Sequence, residues 1–494
     1  MKKHSDKSSD ASKLDAFSSA TEMLQAFRQH HISAVELLDL HLRRIECYNP
    51  TLNAVVTRND EAARRTAAKA DKVRAQGEDR PLLGLPLTIK DCIYVEGLPT
   101  TGGVPERAEA IAEADAPVAA RVRAAGAVIM GKTNVPPYAM DWQATNPLFG
   151  RTNNPWNLAR TPGGSTGGGA AAVAAGLTPL EFGGDLGGSV RIPAAFCGVY
   201  GHTPSGTAVP CRGHFPGSNT PNPVKALIVL GPLARSAEDL ELAFDVIAGP
   251  DVGEDVAWRL EVPQARHGRL ADYRVAVMPP IEWLPVEAEI MEALDRLAAQ
   301  LSRAGAQVKK IQPEILGDMR EYYRLYGLMG AVLVSKETPK SERDRQAEAI
   351  RTRTDDPWAL AHADGLQGDA ADYIAWFAER ERYRASFRAF FEQWDILLSP
   401  VNIVNAFPHT DAPPARRQVD VNGESIAYAR QNVYTSLSNL SGLPATVFPV
   451  GQTRSGLPIG LQALGPYLED RTSIRFAALV GQDFGGFRAP PGYE

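Results

Sequence analysis

The chain is poor in cysteine and in the residue clusters that bind metals. Only four cysteines occur among 494 residues, and no two of them have the Cys-x-x-Cys spacing. Nine histidines are present, but none belongs to an HExxH motif. The sequence therefore gives no indication of a disulfide framework or of a zinc site. We predict a reducing, cytoplasmic location, with no metal and no cofactor.

Long apolar runs and an excess of positive charge are also lacking. The 52 Lys and Arg residues against 58 Asp and Glu give a formal charge of -6, which argues against a nucleic-acid-binding surface. The uncharged stretch at residues 161–180 is rich in glycine and alanine and too weakly apolar to span a bilayer. Residues 1–13 are polar and predict neither a signal peptide nor an anchor. We expect no nucleic-acid or membrane partner, and a disordered or frayed tail over residues 1–16.

What the sequence does have is an alternation of short apolar runs and helical patterns, with enough apolar residues (44%) for a large core. Ser-x-x-Glu capping boxes open two early helices. The pattern predicts strands over 85–89, 127–130, 177–182, 226–230 and 275–278, and helices over 117–125, 169–175, 237–247 and 287–304. Such alternation predicts an α/β fold, with a central mixed, twisted sheet covered by helices.

Two local motifs suggest other chemistries. Residues 126–133 match the phosphate-binding pattern GxxxxGK[ST], but residues 127–130 are themselves an apolar strand and not a loop after one. Residues 163–167 contain G-x-S-x-G, the nucleophile elbow of α/β-hydrolases, which must follow a strand. Two prolines precede it, which argues against that strand. We therefore favour a buried strand for the first motif and keep an α/β-hydrolase-type esterase as an alternative for the second.

A wider set of residues indicates acyl transfer. Lys90 closes an apolar strand, and burial lowers the pKa of a lysine because the charged form loses its solvation, so that the neutral amine can act as a base. Gly187 and Gly188 leave room for a carbonyl to approach backbone N–H groups just before the hydroxyl of Ser189. Ser165 lies in a glycine-rich turn and is placed to carry a proton between Lys90 and Ser189.

These residues resemble the signature of the amidase signature family. Residues 163–193 are similar to its Gly/Ser-rich segment, with two serines 24 residues apart, and residues 84–103 are similar to its lysine segment. The resemblance runs over most of the chain. It implies a nucleophile Ser189, a bridging Ser165 with a cis peptide bond, and the base Lys90. It further implies an oxyanion hole from the N–H groups of Leu186, Gly187, Gly188 and Ser189, with support from Asp185, Arg191 and Thr166.

The resemblance also implies an organisation and an activity. We expect one amidase signature domain over 17–490: helices at 17–75, the catalytic core at 80–250, a helical, substrate-shaping region at 280–395, and the rest of the core at 395–490. The implied function is hydrolysis of amides, aryl amides or carbamates through an acyl-enzyme; a glutamine-dependent amidotransferase subunit is the alternative. We predict a small-molecule amide or carbamate substrate, a possible homodimer, and a pocket lined by Tyr138, Met140, Gly163, Gly164, Arg212 and Phe215.

Overall fold

The computed structural model describes residues 14–217 and 226–494. Most of the predicted frayed tail and part of the Pro/Gly-rich loop at 204–223 lie outside these residues. Within them the structure has fourteen α-helices: α1 Ala20–Arg28, α2 Ala34–Leu52, α3 Asp60–Ala75, α4 Pro117–Ala124, α5 Gly167–Ala174, α6 Arg191–Cys197, α7 Ala237–Ile247, α8 Ala288–Arg303, α9 Met319–Ser335, α10 Lys340–Arg351, α11 Pro357–Gln367, α12 Ala370–Gln393, α13 Val433–Ser441 and α14 Asp470–Phe484.

Most strands belong to one sheet. The described residues form fifteen strands: β1 Val55–Arg58, β2 Pro86–Lys90, β3 Val128–Thr133, β4 Thr145–Asn146, β5 Gly150–Arg151, β6 Leu180–Asp185, β7 Tyr200–Thr203, β8 Val229–Ala234, β9 Arg274–Val277, β10 Gln307–Lys310, β11 Ile396–Pro400, β12 Gln418–Val421, β13 Glu424–Ala427, β14 Ala445–Gln452 and β15 Pro458–Leu464. Eleven of them pair in the order β1-β3-β2-β6-β8-β7-β14-β15-β11-β9-β10. The predicted α/β class with a mixed sheet is confirmed.

The pairing of β2 sets the position of the later chemistry. Strand β2 runs parallel to β3 on one side and to β6 on the other, whereas β6 and β8 are antiparallel. Because the carboxyl ends of parallel strands meet at one edge of a sheet, the end of β2 at Lys90 and the end of β6 at Asp185 lie side by side. Helix α5 packs against β2, β6 and β8 just behind this edge.

The sequence patterns locate six of the helices (α1, α2, α4, α5, α7 and α8) and five of the strands (β2, β3, β6, β8 and β9). Both early helices begin with capping boxes, at Ser19 and at Ser33, and α7 has the predicted bounds. Strand β1 was not predicted: it is a four-residue strand between two helices, with only Val55 buried, and it pairs antiparallel to β3. None of the helices in the described ranges combines the length and apolar character needed to cross a membrane.

Candidate active site

Lys90 is the last residue of β2, and its side chain is completely buried. Its Nζ atom lies 2.7 Å from Ser165 Oγ and 3.3 Å from the carbonyl oxygen of Gly184, and it donates a hydrogen bond to each. Burial lowers the pKa of Lys90 below its ordinary value, because the ammonium form loses its water. The site therefore favours a neutral amine next to a serine hydroxyl.

The two serines come together through the backbone. The peptide bond between Gly164 and Ser165 is cis, as the resemblance implied. The next residue, Thr166, donates its N–H to the carbonyl oxygen of Ser189 at 3.1 Å. Lys90 and Ser165 are buried, whereas Ser189 is 8% exposed, and among the described residues its Oγ makes no hydrogen bond. Ser189 is thus the member of the set that an entering molecule meets first.

The turn before Ser165 is packed too closely for any side chain. A Cβ atom on Gly164 would lie 2.5 Å from the carbonyl oxygen of Asp141, and one on Gly163 would lie 2.9 Å from Cα of Pro193. At both predicted pocket glycines, the space that a side chain would occupy is therefore already filled by neighbouring backbone atoms.

Asp185 and Arg191 form a fully buried ion pair at 3.0 Å. Burial by itself would raise the pKa of Asp185, but the charge and hydrogen bonds of Arg191, with those of Asn439 and Val190, hold that pKa well below its usual range. Asp185 also accepts the backbone N–H groups of Gly188 at 2.8 Å and Val190 at 3.0 Å. The pair holds the loop that carries Ser189.

The hydrogen bond from Gly188 departs from the expected oxyanion hole. Its N–H is already bound to the Asp185 carboxylate, so it is not a free donor in this structure. Among the described residues, the N–H groups of Leu186, Gly187 and Ser189 have no protein acceptor. The prediction included Gly188 because the family resemblance implied it, and the sequence does not show where its N–H points.

Thr166 supports the site through its backbone more than through its hydroxyl. Its Oγ1 is buried and has no hydrogen-bond partner among the described residues. The side chain lies against Gly183, where a Cβ atom would be 2.6 Å from it. Thr166 therefore fills space beside β6 and joins the two serine segments by its N–H.

Two of the predicted pocket residues, Phe215 and Tyr138, lie near the end of β2. Phe215 donates its N–H to the carbonyl oxygen of Cys92 at 2.7 Å, and its ring lies 5.9 Å from that of Tyr138. The Tyr138 and Met140 side chains are about half exposed, at 49% and 48%. The guanidinium of Arg107 stacks 4.1 Å from the Phe215 ring. We call Tyr138, Met140 and Phe215 the rim; Phe215 joins it to the segment that follows Lys90, and its Tyr138 and Met140 side chains face solvent.

Arg212 does not join this rim. Its guanidinium pairs with Asp251 at 3.2 Å, in the segment directly after α7. Among the described residues, Arg212 makes no hydrogen bond to Lys90 or to either serine. The prediction for Arg212 failed because, in an irregular loop, closeness to Phe215 in the sequence does not determine where the side chain points.

The structure also reveals a Cys–His pair beside the lysine that the sequence did not indicate. Cys92 Sγ and His214 Nε2 are 3.2 Å apart and both side chains are buried. Burial lowers the pKa of His214 to about 3 and raises that of Cys92 to about 11. Both groups are therefore neutral near pH 7, and they join the loop at 214 to the segment after Lys90.

Glu181 is a second residue that sequence reasoning missed. It is a fully buried carboxyl on β6, and it accepts hydrogen bonds from Thr88 on β2 and from Thr133 on β3, the latter at 2.6 Å. Burial raises the pKa of Glu181 to about 7, although both threonines and the charges of Lys90 and Lys132 oppose that rise. The only sequence signal was a glutamate inside an otherwise apolar strand.

Glu181→Gln is expected to move the ascending limb of the kcat/KM pH profile to lower pH. The Glu181 carboxylate raises the pKa of Lys90, as does that of Asp185, so its removal lets the Lys90 pKa fall and makes the amine neutral at lower pH. The measurement is kcat/KM against pH. Asp239→Asn is the matched control, since Asp239 is also buried but binds Ala20 and Thr21. An unshifted limb in Glu181→Gln would show that the carboxylate does not act on Lys90.

The phosphate-loop pattern is a strand, as the sequence analysis favoured. Lys132 lies within β3, is fully buried, and donates to the carbonyl oxygen of Pro99 and to Thr100 Oγ1, both at 3.3 Å.

The G-x-S-x-G segment follows an irregular stretch, and within the described ranges no histidine makes a hydrogen bond to Ser165 or Ser189. The serine–histidine esterase alternative therefore loses its structural basis. No group of three or more potential metal ligands occurs in the described part of the chain.

A family model described as Amidase matches residues 36–474. The chain belongs to the amidase family. The prediction of a carbon–nitrogen hydrolase of this class, made from the Lys90, Ser165 and Ser189 segments, is confirmed at the level of the family.

The amidase has relatives with different stated roles. It is 34% identical to a glutamyl-tRNA(Gln) amidotransferase subunit of Roseiflexus sp. (strain RS-1), over 91% of this chain and 93% of the relative. It is 33% identical to an acylamidase of Rhodococcus erythropolis, over 93% of this chain and 94% of that relative. A solved bacterial aryl acylamidase of the amidase signature family superposes with a TM-score of 0.79 at 28% identity, covering 94% of this chain and 96% of that one. The fold is therefore shared by hydrolases and amidotransferase subunits.

Proposed function

We propose that this amidase is a serine hydrolase of small amides, with Ser189 as nucleophile, Ser165 as proton carrier and Lys90 as base. The observation that carries the proposal is the 2.7 Å contact between Lys90 Nζ and Ser165 Oγ inside a buried site. A neutral amine at that distance can accept the hydroxyl proton as readily as it donates one. The exposed edge of the site is Ser189, where a substrate carbonyl would arrive.

The proposed reaction has two halves. The Ser189 oxygen bonds to the carbonyl carbon, while its proton passes to Ser165 and the Ser165 proton passes to neutral Lys90. The proton returns through Ser165 to the amide nitrogen, the carbon–nitrogen bond breaks, and the amine leaves. Water then attacks the acyl-enzyme ester with the same proton transfers and releases the acid. The N–H groups of Leu186, Gly187 and Ser189 would stabilise the oxyanion in both halves.

The rim supports a partly apolar acyl or aryl substrate. Tyr138 and Met140 expose about half of their surface there, and Phe215 lies beside them under Arg107. Aromatic and thioether side chains bind apolar groups, whereas the cation on this rim is already stacked on Phe215. An aryl amide or a carbamate with an apolar group fits this rim better than a small polar amide.

An amidotransferase role is the second candidate, because relatives with that name match over more than nine-tenths of this chain. Such a role would require glutamine as the amide and an acceptor other than water. A polar substrate of that kind has little to gain from the apolar rim. We therefore rank hydrolysis of an apolar amide first.

Two measurements test the proposal together. A fluorophosphonate is expected to label the wild-type protein once, on Ser189; fragmentation of the tryptic peptide 161–191 must locate the label, because that peptide also contains Ser165. A para-nitroanilide, an aryl carbamate and glutamine are then compared by kcat/KM, and we expect the apolar substrates to exceed glutamine by about 100-fold, since each buried apolar group contributes roughly 1 to 3 kcal/mol. Label on another serine would disprove the nucleophile. Preferred turnover of glutamine would favour the amidotransferase role instead.

A further inference from the structure

The loop between β6 and Ser189 has every backbone carbonyl held by a hydrogen bond. The four donors are Asn439 Nδ2 to Asp185 O (3.3 Å), Tyr326 Oη to Leu186 O (3.0 Å), Trp142 Nε1 to Gly187 O (3.0 Å) and Ile192 N to Gly188 O (2.7 Å). This loop carries the N–H groups proposed to bind the oxyanion. A loop of glycines would otherwise be free to rotate its peptide units.

Two of the donors are aromatic side chains from distant segments. Tyr326 comes from α9, inside the predicted substrate-shaping region, and Trp142 comes from the segment before β4. Tyr326 is itself held in place: Asn432 Nδ2 donates to its hydroxyl at 3.2 Å, and Tyr323 Oη donates to Asn432 Oδ1 at 2.5 Å. The Tyr323 and Tyr326 rings stack at 5.9 Å with planes 13° apart. Tyr326 therefore reaches the loop from a rigid base.

Trp142 is equally well supported. Its ring packs 5.2 Å from that of Tyr428, whose hydroxyl donates to Asp141 Oδ1 at 2.6 Å. Arg417 pairs with the other oxygen of the same carboxylate at 2.6 Å. The indole N–H is thus fixed by neighbours that, among the described residues, make no hydrogen bond to the three proposed catalytic side chains.

Fixing a carbonyl also fixes the N–H across the same peptide unit, because the unit is planar and trans and the two groups point in opposite directions. The bond from Tyr326 to Leu186 O therefore sets the direction of the Gly187 N–H. The bond from Trp142 to Gly187 O and the bond from Gly188 N to Asp185 together hold both ends of the next unit. Of these two units, only the first presents a donor without a protein acceptor among the described residues.

Gly187 shows how closely Tyr326 approaches the loop. A Cβ atom at this position would lie 2.7 Å from Tyr326 Oη and 3.1 Å from Asn432 Nδ2. The residue must therefore be glycine for the tyrosine to reach the carbonyl. The fit between an aromatic side chain on α9 and a bare backbone in the loop is specific to these two segments.

We propose that Tyr326 is a positioning residue for the oxyanion hole, that Trp142 supports it by anchoring the next peptide unit of the loop, and that α9 thereby acts on transition-state stabilisation as well as on the shape of the substrate site. The inference rests on the proposed function, since it requires a charged tetrahedral intermediate on Ser189. Preorganised donors stabilise such an intermediate only when they are aimed before the reaction begins. Neither residue touches the reacting atoms in the proposed reaction.

The test is Tyr326→Phe, with Tyr322→Phe as the matched control. Tyr322 lies on the same helix, is also buried, and donates to Leu437 O at 3.0 Å without touching the loop. We expect Tyr326→Phe to lower kcat by about 10- to 100-fold with little change in KM, since small misplacement of a donor costs up to that much. The affinity for a substrate-like boronic acid, which forms a tetrahedral adduct, should fall by the same factor. The affinity for the planar acid product should not change.

Trp142→Phe provides an independent second test, with Trp156→Phe as its control. The Trp156 indole donates to Cys197 O at 2.9 Å, away from the loop. Thermal unfolding of all four variants identifies any loss that comes from stability. Equal losses of boronic acid and product affinity, or an unchanged boronic acid affinity in Tyr326→Phe, would overturn the inference. An unchanged affinity in Trp142→Phe alone would overturn the supporting role of Trp142. Failure of the proposed function looks different, because wild-type Ser189 would then carry no fluorophosphonate label.

Discussion

Ser189→Ala is expected to lower kcat/KM for an aryl amide by about 10⁴-fold or more, because loss of a nucleophile removes the covalent route and leaves only binding and the oxyanion donors. Ser189 is the least buried member of the set, and the N–H of Thr166 already holds its backbone in place. The side chain makes no hydrogen bond to the described residues, so the variant should fold like the wild type. The measurement is kcat/KM under single-turnover and steady-state conditions.

The matched control is Ser205→Ala. Ser205 is also buried, but its hydroxyl donates to Asp470 Oδ2 at 2.7 Å and lies in a different network. We expect its turnover per folded molecule to stay within about threefold of wild type, since its loss affects stability and not chemistry. Retention of more than about a tenth of the wild-type rate in Ser189→Ala would reject the assignment, because loss of a nucleophile usually lowers the rate by several powers of ten.

Lys90→Met is expected to lower kcat/KM by about 10³- to 10⁴-fold and to remove the ascending limb of its pH profile, because general base catalysis contributes about that much. Lys90 can accept a proton only in its neutral form, and burial lowers its pKa. Activity of the wild type should therefore rise as the pH approaches that lowered pKa from below. Methionine has similar volume and no titratable group, so any residual activity should follow a flat profile over the same range.

Lys132 supplies the comparison for this experiment. It is also fully buried, but it faces Asp91 at 3.8 Å and makes no hydrogen bond to a serine within the described ranges. Lys132→Met removes one partner of a buried pair and should lower the unfolding temperature. The surviving folded enzyme should keep its ascending limb. A limb that persists in Lys90→Met would mean that another group is the base.

The parts of the fold that the sequence predicts well are those with a strong local signal. Helix α7 begins at a serine cap and has a regular apolar stripe, and its bounds are as predicted. Strand β1 lacks such a signal, because its four residues have one buried side chain and their partner in β3 is more than seventy residues away in the sequence. Pairing of that kind is a property of the whole sheet.

The candidate site likewise contains residues that the local sequence marks and residues that it does not. Lys90, Ser165 and Ser189 stand in distinctive glycine-rich segments, and the structure joins the first two directly. Tyr326 and Trp142 act through single hydrogen bonds across 140 and 45 residues of sequence, and nothing beside them in the chain marks that role. The direction of the Gly188 N–H and the pairing of Arg212 with Asp251 depend on loop conformation, which residue type does not fix.

The bond between α9 and the Leu186 carbonyl affects how this enzyme can be redesigned. Libraries that enlarge the acyl site would naturally target the helices around it, yet one turn of α9 also carries Tyr326. A single substitution there could change substrate selectivity and, by disturbing Tyr326, lower kcat at the same time. Variants that keep Tyr323, Tyr326 and Asn432 and diversify the open rim at Tyr138 and Met140 separate the two properties.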